Sequence, residues 1–256
     1  MSHKDIKDIY VEERTKWDLV AEQSLPLLKI LPPEENFYTF AQWASTMVGV
    51  GDFLGDLHGK QILEYGCGLG KNVVLLAKSG AHVTTFDLSP KSIMVSRQRA
   101  KLNQVDSNIR FAVAAGEYLP YADESFDVIF GRAILHHLEA DLGWFDINRI
   151  LKPGGKAVFV EPMGMNPLLN FVREYIPYPG KNLRGADHPL TYNDIHTWGQ
   201  GFDKFRYCEI QLLSMLERGF GFGKRIRVLR RLDDFLLKQL PFLRRYCRYV
   251  IMYFVK

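Results

Sequence analysis

Apolar positions change their period along this chain. Over residues 5–31, Ile6, Ile9, Tyr10, Trp17, Val20 and Ala21 recur at roughly 3.6-residue spacing, which predicts a helix. Pro32-Pro33 stops it, because proline has no amide hydrogen and its ring clashes with the preceding turn. A second helical stretch is predicted over 37–57, closed by Gly59. From residue 61 the pattern shortens. The apolar runs 61–65, 82–86, 109–114, 126–130 and 156–160 read as buried strands. Between them, 72–78, 90–102 and 141–151 read as helices. Strands alternating with helices predict an α/β fold: a Rossmann-like, doubly wound, mostly parallel sheet.

After Glu161 the alternation stops. Residues 162–203 are rich in proline, glycine and asparagine and carry Phe171, Tyr175, Tyr178, Tyr192 and Trp198, which reads as an inserted lid. Two late strands are predicted at 205–215 and 246–255, the last one antiparallel. Between them Ile226, Leu229, Leu236, Leu240 and Leu243 trace one helical face, and Pro241 should kink or end that helix. The expected organisation is one domain. It has a helical cap (1–58), a core (59–161), the lid (162–203) and a closing segment (204–256) with a basic amphipathic helix.

With 256 residues, 47% of them apolar, such a chain can bury a full core without staples. A net charge of +4 does not mark a dedicated nucleic-acid binder, and DNA is not an expected partner. The charge is uneven, however. Residues 224–256 hold ten basic side chains and two acids, so the rest of the chain is net acidic. Three readings of 224–245 stay open: a core-facing helix with a solvated basic face, a peripheral contact with an anionic membrane, or a grip on RNA. Cys67, Cys208 and Cys247 form no CxxC pair, which fits reduced thiols in a cytoplasm. The first ten residues lack the apolar core of a signal peptide, and the apolar run 249–255 is too short to span a bilayer. A cytoplasmic protein, at most peripheral to the membrane, is expected. Seven histidines occur without an HExxH or a carboxylate cluster at ligand spacing, so no metal site is expected.

The most informative segment runs Ile62-Leu63-Glu64-Tyr65-Gly66-Cys67-Gly68-Leu69-Gly70. A strand enters three glycines spaced by two and then a helix. Glycine is needed where backbone turns tightly and a ligand approaches closely. Asp87 ends the next strand, where a carboxylate can accept hydrogen bonds from ribose hydroxyls. The combination predicts a nucleoside-bearing cofactor. A dinucleotide site would read G-x-G-x-x-G, and here the third glycine comes one residue early. The acid Glu64 would repel a pyrophosphate and suits a cationic head group. S-adenosylmethionine has an ammonium and a sulfonium and no phosphate, so it is favoured over NAD.

These blocks, with 119–138 (LPYADESFDVIFGRAILHHL) and 149–155 (RILKPGG), resemble the class I S-adenosylmethionine-dependent methyltransferases of the type 11 small-molecule group. The resemblance spans about 100 residues in the expected order. It implies that Glu64, Gly66, Cys67, Gly68 and Gly70 surround the methionine end, Asp87 holds the ribose and Leu88 flanks the adenine. It also implies that Gly116 and Glu117 read the adenine edge and that Arg132 contacts the methionine portion. Many similar enzymes carry an aspartate where this chain has Ala115, which leaves adenine recognition to backbone or to Glu117. The implied activity is methyl transfer to an oxygen or nitrogen of a small, hydrophobic or aromatic acceptor.

Methyl transfer is an in-line displacement in which positioning supplies much of the rate, about 7–11 kcal/mol. A base is needed only where the acceptor still carries its proton. His136 and His137 follow the fourth strand at the carboxyl edge, where open α/β sheets bind ligands. Glu161 ends the fifth strand on the same edge and could orient a histidine. His188, in Asp187-His188-Pro189-Leu190-Thr191, belongs to a segment type that similar enzymes fold over the site, with Thr191 as a helix N-cap. Tyr10, Trp17, Tyr38, Tyr175, Tyr178 and Tyr192 could line an aromatic cleft or simply pack. Two rival readings share the cofactor site. One is an RNA or protein methyltransferase using the basic tail; the other is a non-catalytic S-adenosylmethionine-binding protein.

Overall fold

The computed structural model describes residues 6–117, 119–138, 140–176, 188–218 and 227–256. Seven strands form one sheet: β1 (Gln61–Tyr65), β2 (His82–Asp87), β3 (Ile109–Val113), β4 (Phe126–Arg132), β5 (Leu151–Pro162), β6 (Lys204–Ile210) and β7 (Tyr249–Val255). Their spatial order is β3-β2-β1-β4-β5-β7-β6. The first five run parallel, while β7 enters antiparallel between β5 and β6. The Rossmann-like, mostly parallel sheet is thus as the alternation predicts, and the last strand is antiparallel as expected.

Successive residues of each central strand face opposite sides, so one sheet builds two cores. Ile62, Phe130, Val158 and Ile251 meet Phe37 and Val74 from the helices of one layer and Met47 from the turn between the helices Phe37–Trp43 and Val50–Leu54. Their chain neighbours Leu63, Ile129, Phe159 and Met252 meet Ile147, Ile195 and Trp198 from the other. The first layer comprises α2 (Phe37–Trp43), α3 (Val50–Leu54), α4 (Lys71–Lys78) and α5 (Pro90–Leu102). The second includes α6 (Ala140–Ile150), α8 (Tyr192–Trp198) and α9 (Arg227–Gln239). The chain winds outward from β1 through β3 and returns beside β1 as β4. That reversal opens a crevice at the carboxyl ends of β1 and β4.

Several boundaries differ from the periodicity, each for a local reason. The first helix, α1, covers Ile6–Ser24 rather than 5–31; Pro26 begins a short 3-10 turn, Leu25–Leu27, after it. The stretch 37–57 is two helices, because Gly49 turns left-handed (φ +73°) between α2 and α3. The strand expected over 205–215 ends at Ile210, where Gln211 adopts φ +64°. The amides of Leu212, Leu213 and Ser214 then donate to the buried Asp233 of α9 instead of to a ladder. The last strand begins at Tyr249 rather than 246, preceded by a 3-10 turn over Pro241–Tyr246. Within the segment expected as a lid, α7 (Pro167–Tyr175) follows β5. Ile195 and Trp198 of α8 are buried core, so that part of the segment belongs to the main body. Tyr178 lies outside the described residues.

Candidate active site

A cavity of about 200 Å³ opens in the crevice. Its floor is the turn after β1. Gly66 has φ +75°, and a Cβ there would stand 2.8 Å from Ile134 Cδ1, so a side chain is excluded by both backbone and space. Asp87 ends β2 beside this turn. Its Oδ2 accepts the Gly68 amide hydrogen at 2.8 Å and its Oδ1 that of Ser89 at 2.9 Å. Each oxygen keeps a further lone pair for a ligand hydroxyl. Burial raises the Asp87 carboxyl above its ordinary range, and the two amide donors oppose that shift.

Leu88, Ala115 and Gly116 give the next wall a flat, apolar surface, with Glu117 beside it. The Tyr65 hydroxyl donates to the Gly116 carbonyl and fixes that loop from below. Arg132, at the end of β4, lines the opposite wall. It donates to Thr46 Oγ1 at 3.2 Å and lies 5.6 Å from the centre of the Phe40 ring. Burial lowers its pKa; the carboxylates of Glu64 and Glu161 are among the charges that oppose this.

The roof is α1, whose Tyr10, Glu13 and Trp17 all face the cavity. Spacings of three and four put them on one face of the helix. α1 is fastened to the start of α5, where Asp18 Oδ1 accepts from Ser89 Oγ at 2.5 Å and from the Lys91 amide at 3.3 Å.

The histidine pair divides its work. His137 lines the cavity, with Nδ1 3.7 Å from Glu13 Oε1. His136 lies behind it, buried, with the two ring centres 4.0 Å apart. Its Nδ1 is 2.8 Å from Glu161 Oε2. The other oxygen of Glu161 accepts the amides of Ile134 and Leu135 at 2.9 and 3.1 Å. Glu161 therefore sets both the His136 ring and the turn that carries the pair.

Residues 63–159 match the family described as "Methyltransferase domain". The chain is 37% identical over 109 residues to a demethylmenaquinone methyltransferase of Tropheryma whipplei. The alignment covers 42% of this chain and 44% of that relative, so the chain spans less than half the length of the curated relative it matches. Among solved structures, a phosphoethanolamine N-methyltransferase 2 of Haemonchus contortus, in complex with S-adenosylmethionine, is similar at TM-score 0.60 and 19% identity. It covers 84% of this chain and 52% of its own. The [4+2]-cyclase SpnF is similar at TM-score 0.60 and 14% identity over 96% of this chain and 94% of its own. These likenesses show the fold, which accompanies more than one chemistry.

The crevice brings together Gly66, Cys67, Gly68, Asp87, Leu88, Gly116, Glu117, Arg132 and His137, all on its lining. Five other candidates lie outside that lining. Gly70 serves packing instead: a Cβ there would come within 2.7 Å of the Ser96 backbone on α5, at φ +77°. Glu64 is buried beneath the floor, accepting from Thr85 Oγ1 at 3.1 Å, and burial lifts its pKa from 4.5 to about 8. His136 and Glu161 form the buried layer behind His137. His188 is exposed, because Leu190 turns inward to bridge Met163 and the chain leaves the site there. Thr191 is the expected N-cap, with Asp194 completing a capping box. Burial pushes the Cys67 thiol well up, which suits a packing role. Of the other aromatic candidates, Tyr38 and Tyr192 hydrogen-bond to Gly55 and Glu209 as structural groups, and Tyr175 is exposed.

Sequence reasoning missed Glu13, Asn72, Phe86, Ala133 and Ile134 on the lining. Glu13 had a signal in its spacing from Tyr10 and Trp17. Among the described residues no cluster of three His, Cys, Asp or Glu side chains could hold a metal ion.

Proposed function

We propose that the protein transfers a methyl group from S-adenosylmethionine to an oxygen or nitrogen of a small, apolar or aromatic acceptor. The charge of the cavity carries this reading. Glu13, Asp87 and Glu117 line it against a single guanidinium, Arg132. Such a lining favours a cationic nucleoside and disfavours a pyrophosphate. The residues present fit the cofactor. Asp87 receives the ribose hydroxyls, Leu88 and Gly116 flank the purine with Glu117 at its edge, and Arg132 meets the carboxylate of the amino-acid portion.

When bound, S-adenosylmethionine supplies an electrophilic methyl group on a sulfonium centre. The chain itself positions the acceptor and removes its proton. His137, on the cavity wall, takes that proton, and Glu13 stabilises the resulting imidazolium. His136 and Glu161 position His137 from behind, through ring contact and through the amides of the turn. The acceptor lies under α1, whose Tyr10 and Trp17 supply the apolar and aromatic contacts.

The test is turnover with phenol and amine panels, read by mass spectrometry as methylated product plus S-adenosylhomocysteine. Product expected from wild type should fall steeply in His137→Asn, while S-adenosylhomocysteine affinity stays near wild type. A variant that loses affinity and turnover together would remove the base assignment. Cofactor binding with no product from any acceptor would favour a non-methylating role.

A further inference from the structure

Two helices present apolar side chains to solvent at one end of the sheet. On α9, Val228, Leu232 and Phe235 are 69%, 40% and 59% exposed. Their spacing of four and three puts them on one face. The helix is held from its other side, where Asp233 takes the amides of 212–214 and Leu236 and Leu237 pack on the core. On α7, Leu168, Phe171 and Tyr175 repeat the same geometry at 68%, 54% and 56% exposure. Apolar surface gathered this way marks an interaction site more often than scattered exposed residues do.

Both helices stand at the carboxyl edge of the parallel strands, the edge that holds the cavity. α7 follows the end of β5, and α9 leads through the 3-10 turn into the start of β7, where Tyr249 pairs with Pro162. Asn166, the N-cap of α7, donates to the Tyr246 carbonyl at 2.7 Å and joins the two segments.

Charge identifies the occupant. Arg231, Lys238 and Arg245 are exposed on and after α9, with Arg244 paired to Glu209 at 3.5 Å, against the exposed acids Asp234 and, on α7, Glu174. A second copy meeting this face by two-fold symmetry would set these cations against themselves. An anionic surface would not. We propose that this end of the molecule docks on an anionic lipid bilayer. The apolar side chains of α9 and α7 enter the headgroup boundary, and the cations meet phosphate groups. Docking needs neither cofactor nor acceptor and stands apart from the methyl-transfer reading. Taken with that reading, it brings the cavity's edge of the sheet to the bilayer, where an apolar acceptor is concentrated.

Sedimentation with vesicles tests it. The full chain should bind phosphatidylcholine vesicles containing about one-third phosphatidylglycerol, and bind pure phosphatidylcholine far less. Leu232→Asp with Phe235→Asp should weaken binding at least about tenfold, and so should Arg231→Glu with Lys238→Glu. High salt should weaken the wild type as well. All four side chains are exposed, so circular dichroism should show the variants folded. No binding to the anionic vesicles overturns the proposal, as does undiminished binding by the folded apolar variant. A solution dimer dissociated by that same apolar variant would assign the face to a second copy and overturn it too.

Discussion

The floor of the cavity is held by backbone, whereas α1 closes it with side chains. On the floor, Gly66 has room for no side chain, and Asp87 is locked by two amide donors before any ligand arrives. Over the roof, Tyr10, Glu13 and Trp17 project from a helix fastened to α5 by polar contacts of Asp18. A floor set by backbone is preorganised and suits a part common to many substrates, here a nucleoside. A roof made of side chains can change by substitution without disturbing the sheet, so it is where acceptor choice belongs.

The contrast can be broken at graded cost. Gly70→Val should do the most damage, because it combines a left-handed backbone with a Cβ pressed on α5. The expected loss is more than about 3 kcal/mol, visible as a large drop in the midpoint of denaturant unfolding. His137→Asn should lower turnover by roughly 10²–10⁴-fold with little change in cofactor affinity, which would separate chemistry from the floor. Asp87→Ala should weaken S-adenosylhomocysteine by about 100-fold, since two charge-assisted hydrogen bonds are lost and the Gly68 amide loses its acceptor. Trp17→Ala should cost the cofactor no more than about tenfold while shifting acceptor preference, as expected for a roof residue. A larger loss of cofactor than from Asp87→Ala would reverse the comparison.

Glu64 makes the stability of the floor depend on pH. Its folded pKa of about 8 lies above its ordinary value of 4.5, so the folded chain binds that proton more tightly. The resulting stability is whole below 4.5 and is lost as pH rises from there toward 8. The stability of wild type relative to Glu64→Gln should therefore decline across that window. A difference that stays flat would mean Glu64 is solvated.

The floor was legible in sequence because it is local. Glycine spacing, a strand end and an acid lie within one βαβ unit, from Gln61 to Asp87. The roof was not, because Glu13 reaches the site across the fold and only its helical phase with Tyr10 and Trp17 hints at it. Glu161 was expected to orient a histidine from the shared edge, but which one it meets is set by two neighbouring strands, across 25 residues of chain. Which of two adjacent histidines faces the ligand depends on the 3-10 turn Leu135–His137, whose phase a hydrophobic period does not reveal. Gly70 was assigned to the ligand because spacing alone cannot separate a glycine that admits a cofactor from one that admits a neighbouring helix. The closing strands were placed within a few residues. Their ends are fixed by buried Asp233 and by Gln211, which carry no periodic signal.

Calorimetric titration with S-adenosylmethionine, S-adenosylhomocysteine and NAD tests the central claim most directly, with Asp87→Ala alongside. The acidic cavity should take both sulfur nucleosides with micromolar affinity, refuse NAD, and lose the nucleosides in the variant. A folded wild type that ignores S-adenosylmethionine, or that prefers NAD, would contradict it.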